Sequence, residues 1–166
     1  MSAIAKKLIV YGDYMDTERV RQDFGRMPDR VEVGWLIGGH LMHIHQPTAP
    51  DGVHDYVGFV PSHAKAPVMC LVLTFNVESD TDYEEMMGRV DDIEWATEER
   101  GFLYRREQLQ AETILGSVTG DVYILSLDAV RALERRSEAK IVDRIATESC
   151  VSWPPYARKR KLRSQE

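Results

Sequence analysis

The chain has little cysteine, two residues in 166. Cys70 stands in an apolar run and Cys150 lies far along the chain. Two thiols so placed make neither a disulfide framework nor a metal-ligand pair, and this usage points to the cytosol. No uninterrupted apolar run approaches the roughly 20 residues of a bilayer-crossing helix. Met1 to Lys7 reaches a first strand too soon for a signal peptide. Gly-x-Gly-x-x-Gly, a Walker loop and Gly-x-Ser-x-Gly are all missing, which removes the glycine-based signatures of dinucleotide, nucleoside-triphosphate and serine-hydrolase chemistry. There is no internal repeat or low-complexity linker, so residues 1–150 read as one domain and 151–166 as a basic tail.

In that tail Arg158, Lys159, Arg160, Lys161 and Arg163 meet only Glu166, a charge of +4, which leaves −10 on the preceding 150 residues for the total of −6. An acidic body argues against phosphate-backbone binding as the main task. The tail itself has two readings, a patch for nucleic acid or membrane surface, and a solvated end or intramolecular docking strip. His40, His43 and His45 invite a metal, yet no nearby cysteine or carboxylate completes a ligand set, and a structural or surface role is expected. Cys70 reads as core, because a reactive thiol needs an accessible, electropositive setting.

Residues 7–11 read as a strand and 18–24 as a short helix that Asp16 or Thr17 caps and Gly25 ends. From Val31 to His45 apolar residues alternate with polar or small ones, placing Val31, Val33, Trp35 and Ile37 on one side, and the stretch reads as one long bent strand. Residues 56–60 make a short strand, and 68–75 a nearly continuous apolar one for the centre of a sheet. Ser79 or Asp80 opens a helix through Tyr83, Met86, Met87 and Val90. Residues 102–113 and 118–125 pair as a hairpin around Gly116-Ser117. Ser126 caps a helix whose apolar stripe Ile141, Val142 and Ile145 extend or restart. The tally is five or six strands and two to four helices, an α+β barrel-like or strongly bent sheet.

Two segments stand out chemically. In Tyr11-Gly12-Asp13-Tyr14-Met15 an apolar strand ends at a glycine and opens toward a helix start, a geometry that aims successive N–H groups at one point and favours an anion. Val90-Asp91-Asp92-Ile93-Glu94-Trp95 ends the helix after the central strand, and Phe102-Leu103-Tyr104-Arg105-Arg106 runs into the next strand. Their order over roughly residues 7–125 resembles the γ-glutamylcyclotransferase-like family. Tyr11 to Met15 is similar to that family's Tyr-Gly-Ser-Asn/Leu-x substrate loop, and Val90-Asp91-x-x-Glu94 to its Leu-Asp-x-x-Glu motif. Phe59-Val60-Pro61 followed by Val68 to Phe75 resembles its middle segment.

The resemblance implies a small bent mixed β-barrel of five to six strands with flanking helices and a pocket at its mouth. It also implies an intramolecular reaction, in which the α-amine of a γ-glutamyl group attacks its own γ-carbonyl and releases 5-oxoproline with an amine or amino acid. Such a reaction needs a small-molecule γ-glutamyl substrate and no metal, nucleotide or other cofactor. Glu94 matches the motif as the group that takes and returns the proton, which near neutral pH requires a partly buried carboxyl. Tyr11, Gly12, Asp13, Tyr14, Met15 and Tyr104 are the substrate-contact candidates. Glu98 is the rival of Glu94, since nine residues separate Glu94 from Tyr104, more than the family usually has. On charge alone, Asp91, Asp92, Glu94, Glu98 and Glu99 also read as one solvated acidic helix end. Tyr104 reads equally as a substrate contact and as a strand aromatic with a satisfied hydroxyl. Arg105 and Arg106 alternate along a strand, so at most one faces the pocket.

Asp13 departs from the family's serine and leaves three alternatives: a carboxylate that points away and caps its own loop, one that recognises a cationic substrate group, or the mark of a member without the activity. A non-catalytic binding or interaction module on the same fold is therefore the competing reading, and a different small-molecule reaction on the scaffold a third.

Overall fold

The computed structural model describes residues 2–47, 55–98 and 101–144. Five strands close a barrel in the order β1 (Ile4–Val10), β5 (Val68–Val77), β2 (Arg30–Leu36), β6 (Tyr104–Thr113), β7 (Gly116–Leu125) and back to β1. Every neighbour in that ring is antiparallel except β1 and β7, which run parallel through Leu8↔Asp121 and Ile9↔Val122. Beyond Val122, β7 exchanges β1 for β4 (Asp55–Pro61), again in parallel, at Phe59↔Ile124. From there the sheet continues through β3 (Gly39–His45) to β8 (Lys140–Arg144). The expected α+β barrel is thus present, with three further strands attached at one seam.

Alternation along the strands divides the apolar residues into two clusters. Ile9, Leu36, Cys70, Val72, Ala111 and Val122 come from all five ring strands and fill the barrel. Leu8, Val10, Leu73 and Phe75 point outward, beneath Val20 and Phe24 of α1 (Thr17–Phe24), Tyr83, Met87 and Val90 of α2 (Asp80–Ile93) and Val130 of α3 (Leu127–Arg135). This two-sided burial is why 68–75 has so little polar alternation. Each helix begins on a cap that leaves its first donors satisfied: Asp16 accepts from Glu18 N–H at 3.0 Å, Ser79 from Asp82 N–H at 3.2 Å and Ser126 from Ala129 N–H at 3.3 Å. Cys70 is fully buried inside the barrel, and burial pushes its thiol up to about 12.

Three expectations are corrected. Residues 31–45 are two strands: Gly38 takes φ +90°, the chain breaks there, and β2 joins β5 and β6 while β3 joins β4 and β8. Val31, Val33 and Ile37 lie on the outward side and are exposed. The hairpin turns at Ile114-Leu115, closed by the pair Thr113↔Gly116, and not around Gly116-Ser117, because the Thr113 hydroxyl donates to Gly116 O at 2.8 Å and accepts from Leu115 N–H at 3.2 Å. Ile141 and Val142 continue no helix; α3 stops before Ser137 at φ +58°, and the β-branched pair enters β8 against β3. Ile145, Cys150 and the tail lie outside the described residues.

Candidate active site

Tyr11 leaves β1 where β7 changes partner from β1 to β4. Its ring enters the barrel cluster 6.1 Å from that of Phe59, and its hydroxyl donates to the Tyr123 carbonyl at 2.5 Å, tying the fork together. Burial, and after it the charge of Glu94, raise the Tyr11 phenol above its ordinary range. Gly12 turns the chain at φ −123°, ψ −128°, so the turn is made without a left-handed residue. Asp13–Met15 then form one 3-10 turn, with Met15 N–H on Gly12 O at 3.0 Å and Asp16 N–H on Asp13 O at 3.1 Å. Tyr14 points back toward α1: its hydroxyl donates to Asp23 Oδ2 at 2.9 Å, and its ring stands edge-on to Phe24 at 5.0 Å. Met15 packs half-buried against the outer cluster. One carboxylate oxygen of Asp13, Oδ2, is closed off from solvent. The cap of α1 is Asp16.

Glu94 is the C-cap of α2, its N–H on Val90 O at 2.8 Å. Trp95 follows at φ +57°; its N–H bonds to Asp92 O at 3.3 Å and that of Ala96 to Asp91 O at 2.8 Å. This is a Schellman stop with tryptophan in the left-handed position that glycine usually takes. The indole is buried and edge-on to Tyr56 at 5.7 Å, which holds the turn despite its strain of about 1 kcal/mol. The Glu94 backbone is fixed by that stop. Glu94 is half-buried, and its charge contributes to raising two phenols, Tyr11 just after β1 and Tyr123 on β7. Glu98 is exposed, at the start of the loop toward β6.

Tyr104 is buried, and its hydroxyl donates to Val57 O at 2.5 Å, joining β6 to β4. The acidic end of α2 is divided. Asp92 is exposed, whereas Asp91 accepts Arg106 Nε at 3.0 Å on Oδ1 and Nη2 at 3.1 Å on Oδ2. Tyr123 Oη donates to the same Oδ1 at 2.6 Å. Burial first, then the Asp91 bond and charge, raise the Tyr123 phenol, with Glu94 adding to the shift and Arg106 opposing it. Arg106 also reaches Glu84 and Asp121, while Asp121 accepts from Tyr83 at 2.7 Å and Gln108 at 2.8 Å. Of the two adjacent arginines, Arg106 is thus engaged and Arg105 lies exposed over the Phe102 ring at 5.9 Å. An open cavity of about 520 Å³ is lined by Asp91, Ala96, Phe102, Arg105, Arg106 and Asp121.

The structure therefore brings Tyr11 and Glu94 into one neighbourhood, ties Tyr14 and Tyr104 into the fold through their hydroxyls, and leaves Glu98 at the surface. Sequence reasoning missed the Asp91, Tyr123 and Arg106 group. The signal existed in the hairpin register, which sets Arg106 opposite Tyr123 and Gln108 opposite Asp121, but only once the turn is centred on Ile114-Leu115. His40 is held by Ser62, Nδ1 to Oγ 2.8 Å, and among the described residues no group of three potential metal ligands stands together. No helix among them is long and apolar enough to cross a membrane.

No family model matches the chain, and no curated protein does. Among solved structures, the fold is similar to one described as gamma-glutamyl cyclotransferase, with a TM-score of 0.54 and 17% identity over 74% of this chain and 68% of that one. An uncharacterized protein from Homo sapiens aligns with a TM-score of 0.55 and 17% identity over 74% and 67% of the two chains. A protein from Arabidopsis thaliana solved in solution aligns at 0.52 and 17% over 97% and 85%. At such identities the likeness shows the fold, a γ-glutamylcyclotransferase-like α+β barrel.

Proposed function

We propose that the chain is a γ-glutamylcyclotransferase-type enzyme with Glu94 as its acid and base. The observation that carries this reading is the position of Glu94: fixed at the end of α2, half-buried, and close enough to Tyr11, the residue leading into the loop after β1, for its charge to act on that phenol. In the reaction the Glu94 carboxylate takes a proton from the substrate's α-amine as the nitrogen bonds to the γ-carbonyl carbon. The resulting oxyanion collapses, the bond from that carbon to the departing nitrogen breaks, and Glu94 returns its proton to the leaving amine. Products are 5-oxoproline and a free amine or amino acid, with no water consumed and the carboxylate restored.

The loop supplies the oxyanion donors in this scheme. Its 3-10 turn holds the N–H groups of Met15 and Asp16 on the carbonyls of Gly12 and Asp13, which fixes the backbone of the loop. A donor of this kind contributes on the order of 3 kcal/mol to the transition state. Asp13 favours a second reading: an acidic side chain in the loop opposes a substrate carboxylate bound there, which suits a non-catalytic module or a substrate with a cationic group near the loop. Incubating the full chain with γ-glutamyl amines and γ-glutamyl amino acids, and following 5-oxoproline, separates these readings. Release that disappears in Glu94→Gln supports the enzyme; no release from any member of the panel, with one of them bound, supports the module.

A further inference from the structure

The large apolar side chains left exposed are not scattered. Among the described residues, six of the eight, Ile4, Met27, Val31, Val33, Ile114 and Leu115, lie toward one end of the barrel. Strand direction places them there: β1 and β2 both run antiparallel to β5, and β7 runs parallel to β1, so the starts of β1, β2 and β7 share an end with the β6–β7 turn. The loop after β1 lies at the other end, so this surface is apart from the site proposed above. Ile114 and Leu115, in the turn, are 87% and 73% exposed. Apolar residues gathered in this way mark an interaction surface. The backbone is open here as well. Strand β2 pairs with β5 along all of Arg30–Leu36 but with β6 only at Gly34, Trp35 and Leu36, because β6 turns back after Thr113. On that side, Arg30 to Val33 have no strand beside them among the described residues.

A free edge accepts a further strand, and the side chains along it decide which strand fits. Val31 and Val33 stand on the outward face of β2; Arg30 and Glu32 stand on the other, joined Nε to Oε1 at 3.0 Å. A second β2 laid antiparallel about a two-fold axis at Val31 sets Val31 against Val31 and, on the opposite face, Arg30 of each copy against Glu32 of the other. A slip of one residue sets Arg30 against a valine, and a slip of two sets Arg30 against Arg30 or Glu32 against Glu32. The edge is therefore complementary to itself in one register. We propose that two copies of the chain join at this end of the barrel, through antiparallel pairing of their free β2 edges about Val31. The same register brings Met27 of each copy toward the Ile114-Leu115 turn of the other, so the exposed apolar residues are covered together.

Sedimentation equilibrium of the full chain tests this. The parent chain is expected to dimerise, and Arg30→Glu and Glu32→Arg are each expected to raise the dissociation constant by about tenfold, because each sets like charges against one another across the two-fold axis. An equimolar mixture of these two variants recovers opposite charges at both positions, and its dissociation constant returns to within about threefold of the parent's. The mixture separates the contact between copies from the bond between Arg30 and Glu32 inside one chain, which mixing does not restore. Val31→Thr keeps a β-branched side chain and weakens association severalfold. A parent chain that stays monomeric up to about 0.5 mM overturns the second copy as occupant and leaves the edge to a strand of another protein. A dimer that both charge variants leave intact, or variants that fail to associate when mixed, overturn the pairing about Val31.

Discussion

Trp95 shows what a single residue contributes to the turn that holds Glu94. Its φ of +57° is costly for a bulky side chain, and the indole offsets that cost by burial against Tyr56. Trp95→Gly therefore relieves about 1 kcal/mol of backbone strain and gives up a buried aromatic whose truncation costs about 3–5 kcal/mol. The expected net loss is about 2–4 kcal/mol in a urea titration, with activity falling as Glu94 loses its fixed position; unchanged stability contradicts this account. Glu94 and Tyr11 could be named from the sequence because each sits in a short motif. Asp91 and Tyr123 could not be paired in that way, since their contact depends on how α2 crosses β7. The trait that makes Trp95 matter, its left-handed backbone, leaves no trace in residue type, where glycine is the usual mark.

Cys70 gives the pH prediction at this scale. Its thiol is raised by burial from 9.0 to about 12, so the folded state holds the proton more tightly than the unfolded state does. The associated stability is whole below pH 9 and is withdrawn as pH rises toward 12, by up to about 1.4 kcal/mol per unit. Denaturant midpoints for Cys70→Ala fall less steeply between pH 9 and 11 than those of the parent chain. Equal slopes would mean that the thiol does not titrate with unfolding.

Among the elements, the strands and helices were largely legible and their partners were not. Caps at Asp16, Ser79 and Ser126 mark the helix starts, and apolar continuity marks β5, because these signals are local. The break at Gly38, the centre of the β6–β7 turn and the strand at 140–144 depend on long-range pairing, which no local pattern encodes. Barrel closure rests on a position of this second kind. A Cβ on Gly120 would stand 2.8 Å from the backbone oxygen of Lys7, so β1 can approach β7 only where that side chain is missing. Gly120→Ala is expected to cost about 1–3 kcal/mol, since backbone cannot swing aside. Gly88 in α2 meets nothing within 4 Å, and Gly88→Ala should stabilise by about 0.5–1 kcal/mol through helix propensity. Chemical denaturation of the two variants gives shifts of opposite sign, and a shared sign contradicts the assignment of Gly120 to the closure.

At the scale of the whole molecule, the barrel and its three-strand extension meet at β7, and the site proposed above lies at that meeting. The strand exchanges β1 for β4 between Val122 and Ile124; Tyr11 spans the exchange with its bond to Tyr123 O, and Glu94 comes to it from the end of α2. The α+β class and a bent barrel could be expected from strand count and motif order, but the fork at which the proposed site lies could not, because it exists only once the strands of the described residues are arranged. The measurement that bears most directly on this account is 5-oxoproline release by three forms of the full chain: the parent, Glu94→Gln and Glu98→Gln. A general acid and base contributes about 10²- to 10⁴-fold. The account predicts a loss of that size in Glu94→Gln and rates within about threefold of the parent in Glu98→Gln, as befits an exposed side chain. Release undiminished in Glu94→Gln, or lost in Glu98→Gln instead, would contradict it.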